Sequence, residues 1–169
     1  PSTPPPPAVN EALSRALVQT ATHGYSVAFG ERPLRRRIAE HYQDFYGVRA
    51  DVDRIAVTPG SSLGFALAFL AAFDRGDRIA LATPGYPAYR NILGALDIDV
   101  VRIETGLASG FQPTPELLDG AGGVDGLLIA SPANPTGTML GRQDLGALAA
   151  WCAGEWAWLI SDEIYHGLS

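Results

Sequence analysis

The sequence contains no lysine: all 12 of its basic residues are arginine. The phosphate-grasping lysine of a P-loop is therefore absent, and Gly-Lys-Ser/Thr does not occur. Nor can any side-chain amine of this chain form a Schiff base with a carbonyl. Cysteine is almost as scarce. Cys152 stands alone, which excludes an internal disulfide. Its surroundings, LGALAAWCAG, form an apolar helical stretch in which a buried, inert thiol is expected rather than a nucleophile. No apolar run approaches the roughly 20 residues of a membrane helix. G-x-G-x-x-G is missing, so an unrelated Rossmann-type nucleotide site lacks its fingerprint. Acids outnumber bases 18 to 12, for a net charge of −6. A nucleic-acid or anionic-membrane surface would require clustered cations instead. The one basic cluster, Arg35-Arg36-Arg37, lies inside a helical pattern and is expected on a solvated or subunit-facing surface.

What is present is enough for a folded core. The 169 residues are 47% hydrophobic and 18% charged, which excludes disorder. A single domain of this length buries about 70% of its unfolded surface. The opening PSTPPPP is extended and leads into a helix over 9–22, with Val9, Leu13, Ala16 and Leu17 on one face. A second helix is expected over 31–46, striped by Leu34, Ile38, Tyr42 and Phe45. From Asp53 the rhythm changes. Short apolar runs at 54–58, 77–83, 99–104, 126–131 and 157–161 predict strands. Helical patterns at 61–73, 86–96, 114–120 and 142–153 alternate with them. Such alternation predicts an α/β fold, three-layer α/β/α, with a mainly parallel sheet covered on both faces. The chain divides into lead-in helices (1–52) and a sheet-bearing part (53–169).

Ligands of such sheets bind beyond the carboxyl ends of the strands. Four polar segments stand there. TPGSSLG (58–64) places Gly60, Ser61 and Ser62 at a helix N-terminus, where free amides and the helix dipole could seat a phosphate; the plain alternative is an ordinary cap. TPGYPAY (83–89) fixes Tyr86 between prolines, suited to stacking on a flat ligand or to a tight turn with the ring in the core. SPANPTGT (131–138) is a rigid loop carrying Asn134, which can donate and accept at once. SDEIYHG (161–167) puts Asp162 at the exit of a buried strand, three residues before Tyr165. A carboxylate there needs a partner, which could be an arginine, a metal or a protonated ring nitrogen. Glu163 and His166 would serve a metal badly, because neighbours on a strand point to opposite faces. Together the segments would supply a phosphate seat, a stacking ring, an amide, a carboxylate and a phenol.

Taken in order, Tyr25, Gly30 and Leu34-Arg35, then TPGSS (58–62), PGYP (84–87), NPTG (134–137) and DEIY (162–165), the chain resembles the class I/II aminotransferases, fold-type I enzymes that use pyridoxal 5′-phosphate (PLP). The likeness covers essentially the whole chain, and N-P-T-G followed 28 residues later by D-E-x-Y is its most specific part. The resemblance implies amino-acid and 2-oxo-acid substrates, a homodimer and a cytoplasmic location. It implies that Asp162 keeps the cofactor's ring nitrogen protonated, with Tyr165 as its catalytic companion. Tyr165 and Asn134 would bond the ring's phenolic oxygen, Tyr86 would stack on the ring, and Gly60, Ser61 and Ser62 would hold the phosphate. Tyr25 would reach the phosphate of the neighbouring subunit. Cis bonds are implied at Thr83–Pro84 and Asn134–Pro135. The family's Schiff-base lysine and its carboxylate-binding arginine lie beyond the D-x-x-Y motif. The chain is therefore expected to be the first part of the large cofactor domain, inactive and association-prone by itself. A carbon–sulfur lyase, a decarboxylase, a cyclopropane-forming synthase and a non-catalytic PLP-sensing domain of a transcription regulator share the same strand-end residues.

Overall fold

The computed structural model describes residues 4–19 and 24–168. They fall into two compact units divided after Thr58.

The first unit holds helix α1 (Pro7–Leu17) and helix α2 (Arg32–Tyr46). Both carry proline in the first turn, where its missing N–H costs nothing. α2 stops at Gly47, whose left-handed conformation lets its N–H close onto Gln43 O. α1 ends at Leu17, short of the expected Thr22; residues 20–23 lie outside the described ones. The expected apolar stripes on both helices stay largely exposed, including Val9, Leu13, Leu34 and Phe45. Arg35 departs from the solvated or subunit-facing surface expected of its cluster. It is buried, its guanidinium donating to Val52 O at 3.0 Å, lying 3.7 Å from Asp53 and facing the Phe29 ring. The other two arginines of the cluster are exposed.

The strand expected over 54–58 does not form. Val52–Arg54 makes a 3₁₀ turn, and the following residues join no ladder of the sheet. The apolar alternation there is real, and Ile55 is extended, but strands exist only in pairs. Val57 N–H bonds Phe29 O in a neighbouring turn instead.

The second unit carries the sheet. Its strands are β1 (Arg78–Thr83), β2 (Asp99–Glu104), β3 (Gly126–Ala130) and β4 (Trp158–Asp162). Their order is β2-β1-β3-β4, every pair parallel. Helices α3 (Ser61–Ala72), α4 (Pro87–Ala95), α5 (Pro115–Asp119) and α6 (Arg142–Gly154) alternate with the strands as expected. Strand side chains alternate between faces, which divides the core into two layers. On one face Ile79, Leu81 and Leu128 pack against Phe69, Phe73, Tyr89 and Leu93 from the α3–α4 side. On the other, Ala80, Leu127 and Ile129 meet Leu118, Leu148 and Cys152 from α5 and α6. Each fully buried leucine contributes roughly 1.5–3 kcal/mol of hydrophobic stabilisation. Cys152 is buried as expected, and burial pushes its thiol pKa up.

Thr83–Pro84 and Asn134–Pro135 are both cis, and so is Ser131–Pro132, which the sequence reading did not anticipate. Among the described residues no helix is long and apolar enough to cross a membrane, and no cluster of His, Cys, Asp and Glu could hold a metal ion.

Candidate functional site

Three strands deliver their following loops to one edge of the sheet. β4 ends on Asp162, which pairs in register with Ala130 of β3. Alternation places its side chain on the α3–α4 face, the same side as Ile160. There it is buried, with 9% of its surface exposed. Two donors meet it. The Tyr89 hydroxyl donates to Oδ2, and the Ile164 N–H donates to Oδ1 at 3.0 Å. Among the described residues no cation pairs with it. An ionised carboxylate offers about four acceptor positions, so two donors leave capacity for a further ligand.

Tyr89 owes its place to α4. Tyr86 caps the helix, Pro87 opens it, and Tyr89 follows one turn on, facing the sheet. The two rings meet edge to face at 5.4 Å, and Tyr89 meets Phe65 of α3 in the same way at 5.1 Å. Such pairs hold a ring's orientation as well as its area. Tyr86 stays part-exposed above this stack. Burial, then the hydrogen bond and charge of Asp162, push the Tyr89 phenol pKa well above its ordinary value. Tyr89 therefore stays protonated and always donates.

The loop after β3 is drawn tight. Ser131 N–H bonds Asp162 O at 3.0 Å, Ala133 N–H bonds Thr138 O at 3.0 Å, and Gly137 N–H bonds Ala133 O at 2.7 Å. The Gln112 side chain reaches beneath it to Ala130 O and Thr138 O. Asn134 sits half-buried on this loop.

Gly60 precedes α3 with φ 88° and ψ 157°, a region only glycine adopts without strain. No side chain caps the helix, and a Cβ at Gly60 would meet nothing within 4 Å. The first amides of α3, at Ser61 and Ser62, therefore open the helix with a positive dipole end and no intrahelical acceptor.

Ser61, Tyr86, Tyr89, Asn134, Asp162 and Tyr165 line one cavity of about 120 Å³. A larger cavity, about 300 Å³, adjoins it and shares Tyr86, Tyr89 and Asn134. Five of the residues singled out from sequence thus converge: Ser61, Tyr86, Asn134, Asp162 and Tyr165. Gly60 and Ser62 flank Ser61 without lining the cavity. Tyr25 is fully exposed on the first unit. Tyr89 and Gln112 were missed. Tyr89 had a legible signal, since it follows Tyr86 by three positions and shares its helix face. Gln112 had none.

The donor set fits a flat, phosphorylated, nitrogen-bearing ring. A buried carboxylate with spare acceptor capacity suits a protonated ring nitrogen, the half-exposed Tyr86 suits a π-face, and the α3 N-terminus suits an anion.

Comparison with known proteins identifies the family and several relatives. The model of the family "Aminotransferase class I and II" matches residues 1–169. A valine–pyruvate aminotransferase of Mycobacterium tuberculosis is 50% identical over 162 residues, covering 91% of this chain and 41% of the relative. An aspartate aminotransferase of Streptomyces avermitilis is 31% identical, covering 99% of this chain and 42% of the relative. Among solved structures, an aminotransferase from Mycobacterium tuberculosis superposes with a TM-score of 0.96 at 49% identity, covering 99% of this chain and 46% of that one. The aspartate aminotransferase of Thermus thermophilus with maleate superposes at 0.91 with 31% identity, covering 97% and 43%. The chain thus spans about two-fifths of the length of the curated relatives it matches.

Proposed function

The chain belongs to the class I and II aminotransferases, and from that premise we propose that the full-length protein is a PLP-dependent amino-acid aminotransferase, of which these residues form the first part of the cofactor-binding domain. The observation that carries the reading is Asp162: a buried carboxylate at a strand exit, fixed by two donors and open to a third. PLP, when bound, supplies the electron sink that lets an amino group move between an amino acid and a 2-oxo acid. Asp162 would hold a proton on the ring nitrogen, and Tyr89 would keep that carboxylate oriented. Tyr86 would stack on the ring, Asn134 and Tyr165 would donate to its phenolic oxygen, and Gly60, Ser61 and Ser62 would seat the phosphate. Tyr25 would complete the seat of a neighbouring subunit in a homodimer. Because this chain has no lysine, the covalent anchor of the cofactor would come from the remainder of the protein. A cytoplasmic location accompanies the reading.

The test uses the full-length protein. A visible absorbance band that borohydride abolishes is expected, together with formation of pyridoxamine phosphate when valine is added, the donor of the half-identical relative. Asp162→Ala should cost at least about a hundredfold in turnover, the scale set by losing one placed electrostatic partner, with little change in solubility. Undiminished turnover in that variant would remove Asp162 from its role.

A further inference from the structure

Gln112 is not among the residues that would hold the cofactor, yet it is buried, with 5% of its surface exposed. It lies in the connection from β2 to α5, on an unusual backbone. Leu107–Ser109 makes a 3₁₀ turn, Gly110 is left-handed at φ 60°, and Phe111 is left-handed too at φ 58°. A left-handed residue bearing a Cβ is disfavoured, because the Cβ crowds the following carbonyl. Phe111 N–H bonds Gly106 O at 2.8 Å and Gln112 N–H bonds Ser109 O at 3.1 Å, which fixes the double bend. The bend leads into Gln112, whose side chain lies beneath the 131–138 loop.

The amide Nε2 of Gln112 is 3.1 Å from Ala130 O, 3.2 Å from Thr138 O and 3.3 Å from Thr138 Oγ1. Ala130 is the last residue of β3, and Thr138 closes the loop that follows. One amide group therefore clasps both ends of the loop. Its two hydrogens serve one end each, the second shared between the two Thr138 oxygens. Thr138 Oγ1 continues the network to Thr136 Oγ1 at 3.0 Å. Asn134 stands between the clasped ends, on the cavity.

We propose that Gln112 is a positioning residue for Asn134: its side-chain amide locks the two ends of the 131–138 loop so that Asn134 is presented to the cofactor at fixed height. The proposal rests on the cofactor role given to Asn134 above. The isosteric substitution Gln112→Glu exchanges the donor for an acceptor. It preserves volume, removes the N–H groups, and points a carboxylate at carbonyl oxygens. Gln112→Met removes the donor without adding charge, and carries the test should Gln112→Glu not fold.

Two measurements on the full-length protein decide it. Amide hydrogen exchange over 131–138, with cofactor bound and removed, should quicken by about tenfold or more in either variant, as expected for losing one or two neutral hydrogen bonds. The midpoint of the pH titration of the cofactor's visible band should shift by roughly 0.5–1 pH unit, the equivalent of about one hydrogen bond. It should move in the same direction as in Asn134→Ala, and the double variant Gln112→Glu/Asn134→Ala should move no further than Asn134→Ala alone. Unchanged exchange overturns the clasp. Faster exchange or a lowered melting temperature with an unmoved midpoint, in a protein where Asn134→Ala does move it, makes Gln112 merely structural and overturns the positioning role. If Asn134→Ala itself leaves the midpoint in place, the cofactor role of Asn134 is what has failed, and the proposal falls with it.

Discussion

Replacing Tyr89 by phenylalanine removes one oxygen and leaves the packing alone. The ring keeps its edge contacts with Tyr86 at 5.4 Å and Phe65 at 5.1 Å. What disappears is the O–H that Asp162 Oδ2 accepts. A hydrogen bond to a charged group contributes about 1.5–3 kcal/mol, so the variant should be less stable by that amount at pH 7. The pH dependence provides an internal check. An ordinary phenol titrates near 10, and burial beside Asp162 raises the pKa of Tyr89 in the folded protein. A raised pKa contributes stability that is complete below the unfolded value and drains away as pH climbs above it. Between pH 9 and pH 11 the parent protein should therefore lose about 1.4 kcal/mol through this group, and the phenylalanine variant should lose none of it. The gap between the two proteins should narrow accordingly. Urea unfolding of the full-length protein at pH 7, 9 and 11 reads both quantities. A gap below about 0.5 kcal/mol at pH 7, or one that stays constant to pH 11, would mean that the phenol does not hold Asp162, and the chain of support from α4 to the carboxylate would be broken.

Gly60→Ala should cost about 1–3 kcal/mol from backbone strain alone, since its φ of 88° and ψ of 157° suit only glycine while a Cβ would have free space. Equilibrium dialysis of the variant should also show weaker PLP binding; unchanged affinity would count against a phosphate seat at α3. Gly126→Ala should destabilise by about 1–3 kcal/mol for a different reason. Its Cβ would lie 2.6 Å from Phe73 Cζ and 3.0 Å from Ile79 Cδ1, far from the cavity, so the cofactor band should be unaltered in whatever fraction folds. The thiol of Cys152, buried and raised in pKa, should react with an aromatic disulfide reagent only after denaturation; rapid labelling of the native protein at pH 8 would contradict its packing.

The four paired strands and the helices between them were legible because each apolar run is bounded by turn-forming or charged residues, and because β and α periods differ. The run at 54–58 has the same local pattern as β1 and still makes no ladder, since pairing depends on a neighbour that no window of sequence contains. Arg35 escaped for a similar reason. A guanidinium inside a helix reads as solvated until a carbonyl such as Val52 O is brought beneath it.

The site divides along the same line. Tyr86, Asn134, Asp162 and Tyr165 could be found because topology sends every loop that follows a parallel strand to one edge, whatever the remaining contacts are, whereas Ser61 reaches the same cavity from the start of α3 with no strand before it. Tyr89 and Gln112 act one layer behind, and what they do is defined by the atom they reach. Asp162 shows why that layer matters. Left without donors, a carboxylate at the end of a buried strand would carry a desolvation cost of several kcal/mol, and the strand exit would be an unstable place to keep it. The phenol from α4 and the amide of Ile164 offset that cost while occupying only part of its acceptor capacity. A third donor is then what the carboxylate remains able to bind, and a protonated ring nitrogen in the adjoining cavity would meet both its charge and its remaining acceptor positions.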